Sequence, residues 1–513
     1  MLRTFTSVSV AAALFMPAAH LLAASPLAGF SAAWTYNHAS TGVAGQTSEI
    51  PAFDPATGTL WVVGFRGVDV LNAATGSFIG HIDTTPFGGA ANSVAIYNGL
   101  AAIAVESPTR SQSGVVTFFD TATRSLSGGF YPSSVTVGAL PDMLTFTPDG
   151  KKLLVANEGT PNVYGAQVGN SVPRIYGSAP NDPVGSVSII DVATRSVIAS
   201  PGFAGVPTSG SHLRTTTGMD FEPEYITVNK AGTKAFVALQ EANGMAVLDL
   251  TTNSFQKVVG LGAKDFSIAG NEIDPRNDNS VNFGKHNAKG LYMPDSMATI
   301  EKGGKTYVLM ANEGDFREDD GDRVAAGSFL GAAAPLDRLR ISNTDSSGTE
   351  LFAAGARSFS IRDENGTLVY DSGSILDMMA HAKGIYDDGR SRDKGVEPEG
   401  LTVFEINGRT LAFVGLERTT KSAVAIFDVT DPTNVAYLDM IVSEGDLSPE
   451  GLAAYELGGK YYLAFSNEVS GTTTAFITLT PVPEPQTYAM LLAGLGLVGW
   501  IARRRKGQEI PKG

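Results

Sequence analysis

The chain has 513 residues, 43% hydrophobic and 17% charged, with 58 Gly, no Cys and a net charge of −15. The lack of Cys excludes disulfides and thiolate metal sites, and the acidic balance disfavours nucleic acid as a partner through long-range repulsion. Such a length holds one large repeat domain or a few ordinary ones, and abundant Gly with modest charge points to a turn-rich β protein.

Residues 1–24 carry Arg3 and then an apolar run ending in HLLAAS. They read as a secretory signal peptide cleaved near Ala23 or Ala24. The body that follows, 30–480, repeats itself. PDMLTFTPDGKKLLVANEG (141–159), PEYITVNKAGTKAFVALQE (223–241), PDSMATIEKGGKTYVLMANEG (294–314), PEGLTVFEINGRTLAFVGLER (398–418) and PEGLAAYELGGKYYLAFSNE (449–468) share one pattern. Each opens on Pro and an acid, runs apolar, turns at Gly, runs apolar again and stops at a polar corner. A Gly turn between two such runs is a hairpin signal. Looser copies stand at 50–67 and 92–107, and a third run follows each corner, as in GVDVLNAATG and GSVSIIDVAT.

Where no insertion intervenes, the copies recur at the spacing of propeller blades. Each unit buries its faces only against its neighbours, so the ring must close. The expected fold is therefore all-β: a seven-bladed β-propeller with rim insertions. The segment AWTYNH (33–38) is expected to add a strand beside TAFITLT (474–480) and so close the ring. In a blade the first strand starts, and the second ends, on the same face. The Pro-acid motifs and the ANEG corners thus share one rim around the central channel. Four insertions, 160–184, 260–293, 315–355 and 371–395, rise there too, and long ordered loops tend to carry function. Two of them share an echo, NAKGLY (287–292) and HAKGIY (381–386), expected to be a repeated structural corner.

Near the C-terminus, Val482, Pro483, Glu484 and Pro485 precede an apolar stretch from Tyr488 to Ala502 and a basic cluster, Arg503 to Lys506. The stretch is shorter than the roughly 20 residues of a usual span. Residues 481–506 resemble a PEP-CTERM sorting signal. That resemblance implies export to the envelope or extracellular matrix of a Gram-negative bacterium and a membrane hold through the apolar helix before processing. It also implies cleavage near Pro483, Glu484 and Pro485 by an exosortase-type enzyme, with exopolysaccharide or other matrix components as neighbours. The two ends carry +1 and +4, so the body between them stands at −20.

Within the body, ANEGDFRE, NAKGLYMPDS, KGVEPEGL and GLER together resemble the choice-of-anchor I family of secreted bacterial proteins, over about residues 40–480. The resemblance implies a propeller joined to a C-terminal anchor, without a defined activity. The EPEGL element alone is similar to the esterase-like phytase propellers, over about one blade.

The rim acids Glu158, Glu222, Glu224, Glu313, Asp315, Glu397, Glu399, Glu450 and Glu468 are the candidate metal ligands. Ca²⁺ takes 6–8 oxygen ligands, which a ring of carboxylates at a channel mouth supplies. The alternative is that they cap turns or pair with Arg66, Arg317 and Arg418. DFREDDGD (315–322) lacks the alternating acids and terminal Glu of an EF-hand loop. Arg317 and Arg418, with Lys289 and Lys383, are the candidate anion-binding groups. No G-x-S-x-G elbow, H-E-x-x-H helix or Walker loop occurs, and His286 and His381 alone make no metal site. Two functions follow: an exported surface propeller that binds a ligand at its acidic rim, or a calcium-dependent phosphoesterase of the alkaline phosphatase or phytase kind.

Overall fold

The computed structural model describes residues 29–129, 131–161, 182–215, 221–317 and 319–478. The leader and the sorting segment, including Pro483, Glu484 and Pro485, lie outside these residues. Six four-stranded sheets and one five-stranded sheet follow one another along the described chain. We number them 1 to 7 by their first strands: Pro51–Asp54, Ala91–Tyr97, Pro141–Phe146, Ile226–Val228, Met297–Lys302, Pro398–Ile406 and Pro449–Leu457. Each first strand abuts the next sheet, and sheet 7 abuts sheet 1, so the sheets form a β-propeller around a channel lined by first strands.

The sequence explains the layering. Second strands such as Thr59–Gly64 and Arg409–Leu416 are sandwiched between neighbouring sheets and carry unbroken apolar runs. Fourth strands form the outer edge, and Ser196–Ala199 is largely exposed there. The hairpins between first and second strands turn at residues whose backbone requires left-handed φ. At Asn407 and Gly408 these angles are +53° and +74°, the pattern of a two-residue turn that matches strand twist.

The ring closes between the two ends of the body. Phe30–Asn37 pairs antiparallel with Thr472–Thr478, as expected, and completes sheet 7. Just beyond, His38 donates or accepts at both ring nitrogens: Nδ1 to Asp69 Oδ2 at 2.6 Å and Nε2 to Thr473 Oγ1 at 2.8 Å. His81 Nδ1 holds the other Asp69 oxygen at 2.7 Å. Ser48 Oγ lies 2.9 Å from Thr473 Oγ1. Trp34 Nε1 and the Tyr455 hydroxyl both donate to the Ala73 carbonyl, at 3.1 and 2.8 Å. Sheets 7 and 1 are therefore joined by polar bonds as well as by apolar contact.

The insertions of sheets 4, 5 and 6 build a cap with its own small core of Phe266, Ile273, Leu339, Ile341 and Leu351. Its sheets are Ala263–Asp265 with Lys289–Leu291 and Phe352–Ala353, and Arg323–Ala325 with Arg340–Ser342. Arg357, fully enclosed, staples the parts: its guanidinium donates to the carbonyls of Asp274, Ser391 and Asp393 at 3.2, 2.6 and 2.9 Å. Asp377, 3.6 Å away, balances its charge. Asp377 belongs to the helix Ile375–Ala382, whose Leu376 and Ala380 join the core of sheets 5 and 6. The echo is not a repeated corner. NAKGLY enters the strand Lys289–Leu291, whereas HAKGIY ends the helix and turns, so the local tertiary contacts decide each conformation.

Candidate functional site

Two backbone devices aim the acids at the channel. The residue before the motif proline is left-handed in four repeats: Leu140 (φ +46°), Met293 (+43°), Glu397 (+50°) and Ser448 (+59°). Non-glycine residues rarely adopt this region, and here it recurs with the repeat. In sheets 3, 6 and 7 its carbonyl accepts the N–H of the corner acid, Glu158, Glu417 and Glu468, at 2.9 Å each. In the same sheets the strand is bulged just after the proline, across Asp142, Glu399 and Glu450. A bulge re-aims the side chain it carries. Each of these repeats thus sets a leading acid beside a corner acid.

The Asn of ANEG has a separate task. Asn157 Nδ2 donates to Ser186 and Ser188 at 3.2 and 3.0 Å, and Asn312 Nδ2 donates likewise to Ser358 and Ser360. The amide ties the second strand's end to the third strand. The Gly of the corner is required at Gly314 (φ +92°), where a Cβ would lie 2.0 Å from the Gly355 nitrogen.

Between sheets 5 and 6 the acids crowd. Ligand oxygens of Asp295, Glu313 and Glu399 lie within 4.8 Å of one another, as do those of Glu313, Glu397 and Glu417. Lys394, delivered by the cap, fills the second group: its Nζ reaches Glu313 Oε1 at 2.8 Å and Glu397 Oε2 at 3.1 Å. Arg390 Nε donates to Glu397 Oε1 at 2.7 Å. Arg418 lies against Glu417, Nη2 to Oε1 at 2.6 Å. Gln240 Nε2 reaches across from sheet 4 to Glu313 Oε2 at 2.8 Å. In the first group these contacts reach only the shared Glu313, and Glu399 Oε2 is enclosed without a hydrogen-bond partner among the described residues.

Electrostatics follow this division. Burial would raise Glu397, but Lys394 and Arg390 hold it below its usual range. Burial would lower Lys394, but Glu313, Glu397 and Asp315 carry it well above its usual range. Where the nearby cations do not outweigh burial, the acids go up. Burial, and then Glu313, push Asp295 to about 7. Burial with Glu313 and Glu397 pushes Glu417 to about 8. Burial and mutual repulsion lift Glu399, Glu450 and Asp142 well above the carboxylate range. Asp295 acts on Asp142, Glu224, Glu399 and Glu450 alike, so the acids of sheets 3 to 7 share one electrostatic field.

The residues singled out in the sequence take different places. Glu313, Glu397 and Glu399 meet in the two groups just described. Glu158, Glu222 and Glu224 lie on the side of sheets 3 and 4. Arg317 is enclosed there, with Nη2 2.5 Å from Asp182 and 3.1 Å from Glu222, so this arginine is committed to internal ion pairs instead of facing a ligand. Arg418 is 40% exposed and can be reached. Asp315 is half-buried, and its Oδ1 accepts the Phe316 N–H at 2.8 Å. Lys289 and Lys383 stand apart in surface pairs with Glu350 and Asp439. Among the mouth acids that the sequence candidates left out are Asp142, Glu241, Asp295 and Glu417. They occupy the leading or corner position of the same repeats. Arg390 sits in an insertion without repeat and no signal in the sequence marks it, whereas Lys394 opens the KGVEPEGL motif, which does not reveal its pairing with Glu313.

A family model for the choice-of-anchor I domain matches residues 49–432, and one for the PEP-CTERM protein-sorting motif matches residues 481–506. No curated protein matches the chain in sequence. Among solved structures it is similar to hydrazine synthase of Kuenenia stuttgartiensis, at 13% identity and TM-score 0.48, over 84% of this chain and 96% of that one. It is also similar to the Cps50 (Swd1) β-propeller domain of Myceliophteria thermophila, at 8% identity and TM-score 0.45, over 87% and 99%. The Pan2 WD40 domain of Neurospora crassa matches at 8% identity and TM-score 0.47, over 88% and 96%.

Proposed function

The chain belongs to the choice-of-anchor I family and ends in a PEP-CTERM sorting motif, and from that premise we propose a seven-bladed surface propeller that binds its ligand through a divalent cation at the channel mouth. The family and the motif mark an exported bacterial cell-surface protein, with an exosortase-type enzyme acting on its tail. In this proposal the site is the envelope or matrix of a Gram-negative cell. The ligand is a matrix component that offers oxygen donors, such as an exopolysaccharide.

One observation carries the cation reading. Asp295, Glu313 and Glu399 bring three carboxylates within 4.8 Å, and Glu399 Oε2 is enclosed without a partner among the described residues. A hard cation such as Ca²⁺ takes oxygen donors of this kind and completes its shell with water or ligand. It also offsets the repulsion that lifts these acids. Lys394 supplies the equivalent charge to the neighbouring group. The test is calcium titration of the mature protein by calorimetry, with Glu399→Gln alongside. Binding that the substitution abolishes supports the reading; equal melting temperatures in EDTA and millimolar Ca²⁺ overturn it.

A calcium-dependent phosphoesterase is the second reading. It is favoured by Arg418, half-exposed beside Glu417 and 4.0 Å from Glu397, where a phosphate would meet both arginine and a metal. Phosphatase assays with and without Ca²⁺ separate the two, and Arg418→Met should abolish any activity found.

A further inference from the structure

The two acid groups between sheets 5 and 6 share one member. Ligand oxygens of Asp295, Glu313 and Glu399 lie within 4.8 Å of one another, and so do those of Glu313, Glu397 and Glu417. Glu313 therefore bridges two neighbouring positions, each suited to a positive charge. Two-metal centres hold their ions about 3.5–4 Å apart, close enough to share a carboxylate.

The chain itself occupies the second position. Lys394 Nζ lies 2.8 Å from Glu313 Oε1 and 3.1 Å from Glu397 Oε2, and its side chain is buried. The segment that carries it is fixed on both sides. Arg357 donates to the carbonyls of Ser391 and Asp393 at 2.6 and 2.9 Å, and the Val396 N–H donates to Asp377 Oδ1 at 3.1 Å. Between them Gly395 is left-handed (φ +67°), and a Cβ there would lie 2.7 Å from Asp377 Oδ1. The ammonium cannot leave Glu313 without breaking this attachment of the cap. The first position differs, because its Glu399 Oε2 is enclosed without a hydrogen-bond partner among the described residues.

We propose that the two groups are one bridged centre for two cations, in which the Lys394 ammonium permanently holds the second position and a divalent ion takes the first. The inference rests on the cation reading of the mouth for the first position and adds the occupant of the second. A single ion offers a ligand the part of its shell that the carboxylates leave open. It does not clamp both the attacking and the leaving oxygen of a displacement, as a metal pair does. Lys394 thus sets the mouth up to bind a ligand and removes the metal pair that two-metal phosphoester hydrolysis needs.

Calcium titration of the mature chain counts the ions, with Lys394→Met removing the ammonium. One ion per chain is expected in the parent and two in Lys394→Met. Adding Glu399→Gln to Lys394→Met should return the count to one. Lys394→Gln is the second variant. If both variants are unfolded in EDTA, a melting transition regained in millimolar Ca²⁺ supports an ion in place of the lysine, and none regained overturns the proposal. One ion in the parent and still one in Lys394→Met overturns the proposal and leaves the first position standing. Two ions in the parent overturn it as well, since the lysine would then exclude nothing. No ion in the parent, but one in Lys394→Met that Glu399→Gln leaves in place, keeps the lysine as occupant and removes the cation reading of the first position. No ion in either chain overturns both.

Discussion

The ring closure and the channel mouth both bury carboxylates, and they treat them in opposite ways. At the closure, both oxygens of Asp69 and both ring nitrogens of His38 are hydrogen-bonded, and neither residue is exposed. Asp69 is held below its usual range: burial would raise it, and the bonds to His38 and His81 outweigh burial. At the mouth, Glu224, Glu241, Glu399 and Glu450 each keep an oxygen without a partner among the described residues, and all four are raised by burial. Fully satisfied polar groups specify a structure, and partly satisfied ones are costly to it. The contrast separates polarity that builds the ring from polarity that the ring holds ready for something else.

Breaking the closure should have the largest effect. Asp69→Asn leaves two imidazoles facing an amide and should cost about 3–5 kcal/mol, as loss of one partner from a buried pair does. Urea unfolding measures this, and a loss below about 1 kcal/mol would mean that strand pairing alone closes the ring. Next comes calcium at the mouth. At a hundredfold excess over its dissociation constant, one ion should add about 2.7 kcal/mol. Glu399→Gln should remove that gain without comparable loss in EDTA, unlike Asp69→Asn.

The pH dependence sharpens the same contrast. Glu49, Glu158 and Asp295 are raised to about 7 and Glu417 to about 8, each first by burial. The folded mouth therefore holds more protons than the unfolded chain between roughly pH 4.5 and 8, and stability without cations should fall as pH rises through that window. Asp69 acts in the other direction, losing its contribution as pH falls below the ordinary carboxylate range. Melting temperatures in EDTA at pH 5.5 and 8.5 test the sign, and a flat profile would mean that the mouth acids keep ordinary affinities. The smallest effect is expected at the surface. Lys383→Ala breaks an exposed pair with Asp439 and should change stability by about 0–1 kcal/mol.

The repeats made the ring and its strand exchange legible, because a Pro-acid start, a Gly turn and a polar corner are local signals. They also held more of the mouth than was taken from them. Asp142 and Asp295 stand where Glu399 and Glu450 stand, and Glu241 and Glu417 where Glu158 and Glu313 stand. Reading both offsets in every repeat finds them. The pairings of Lys394 and Arg390 and the commitment of Arg317 were not legible, since they depend on how three insertions meet around Arg357. The closure network was hidden for a related reason: His38 and Thr473 are 435 residues apart.

The strand exchange also decides where the described chain begins and stops. Thr472 pairs with Asn467, next to the corner acid Glu468, so it lies at the mouth. From there the strand runs the length of sheet 7 to Thr478, opposite Phe30. The described chain therefore begins and stops side by side on the face away from the acids. The mouth acids and the two ends of the described chain thus stand at opposite faces of the ring.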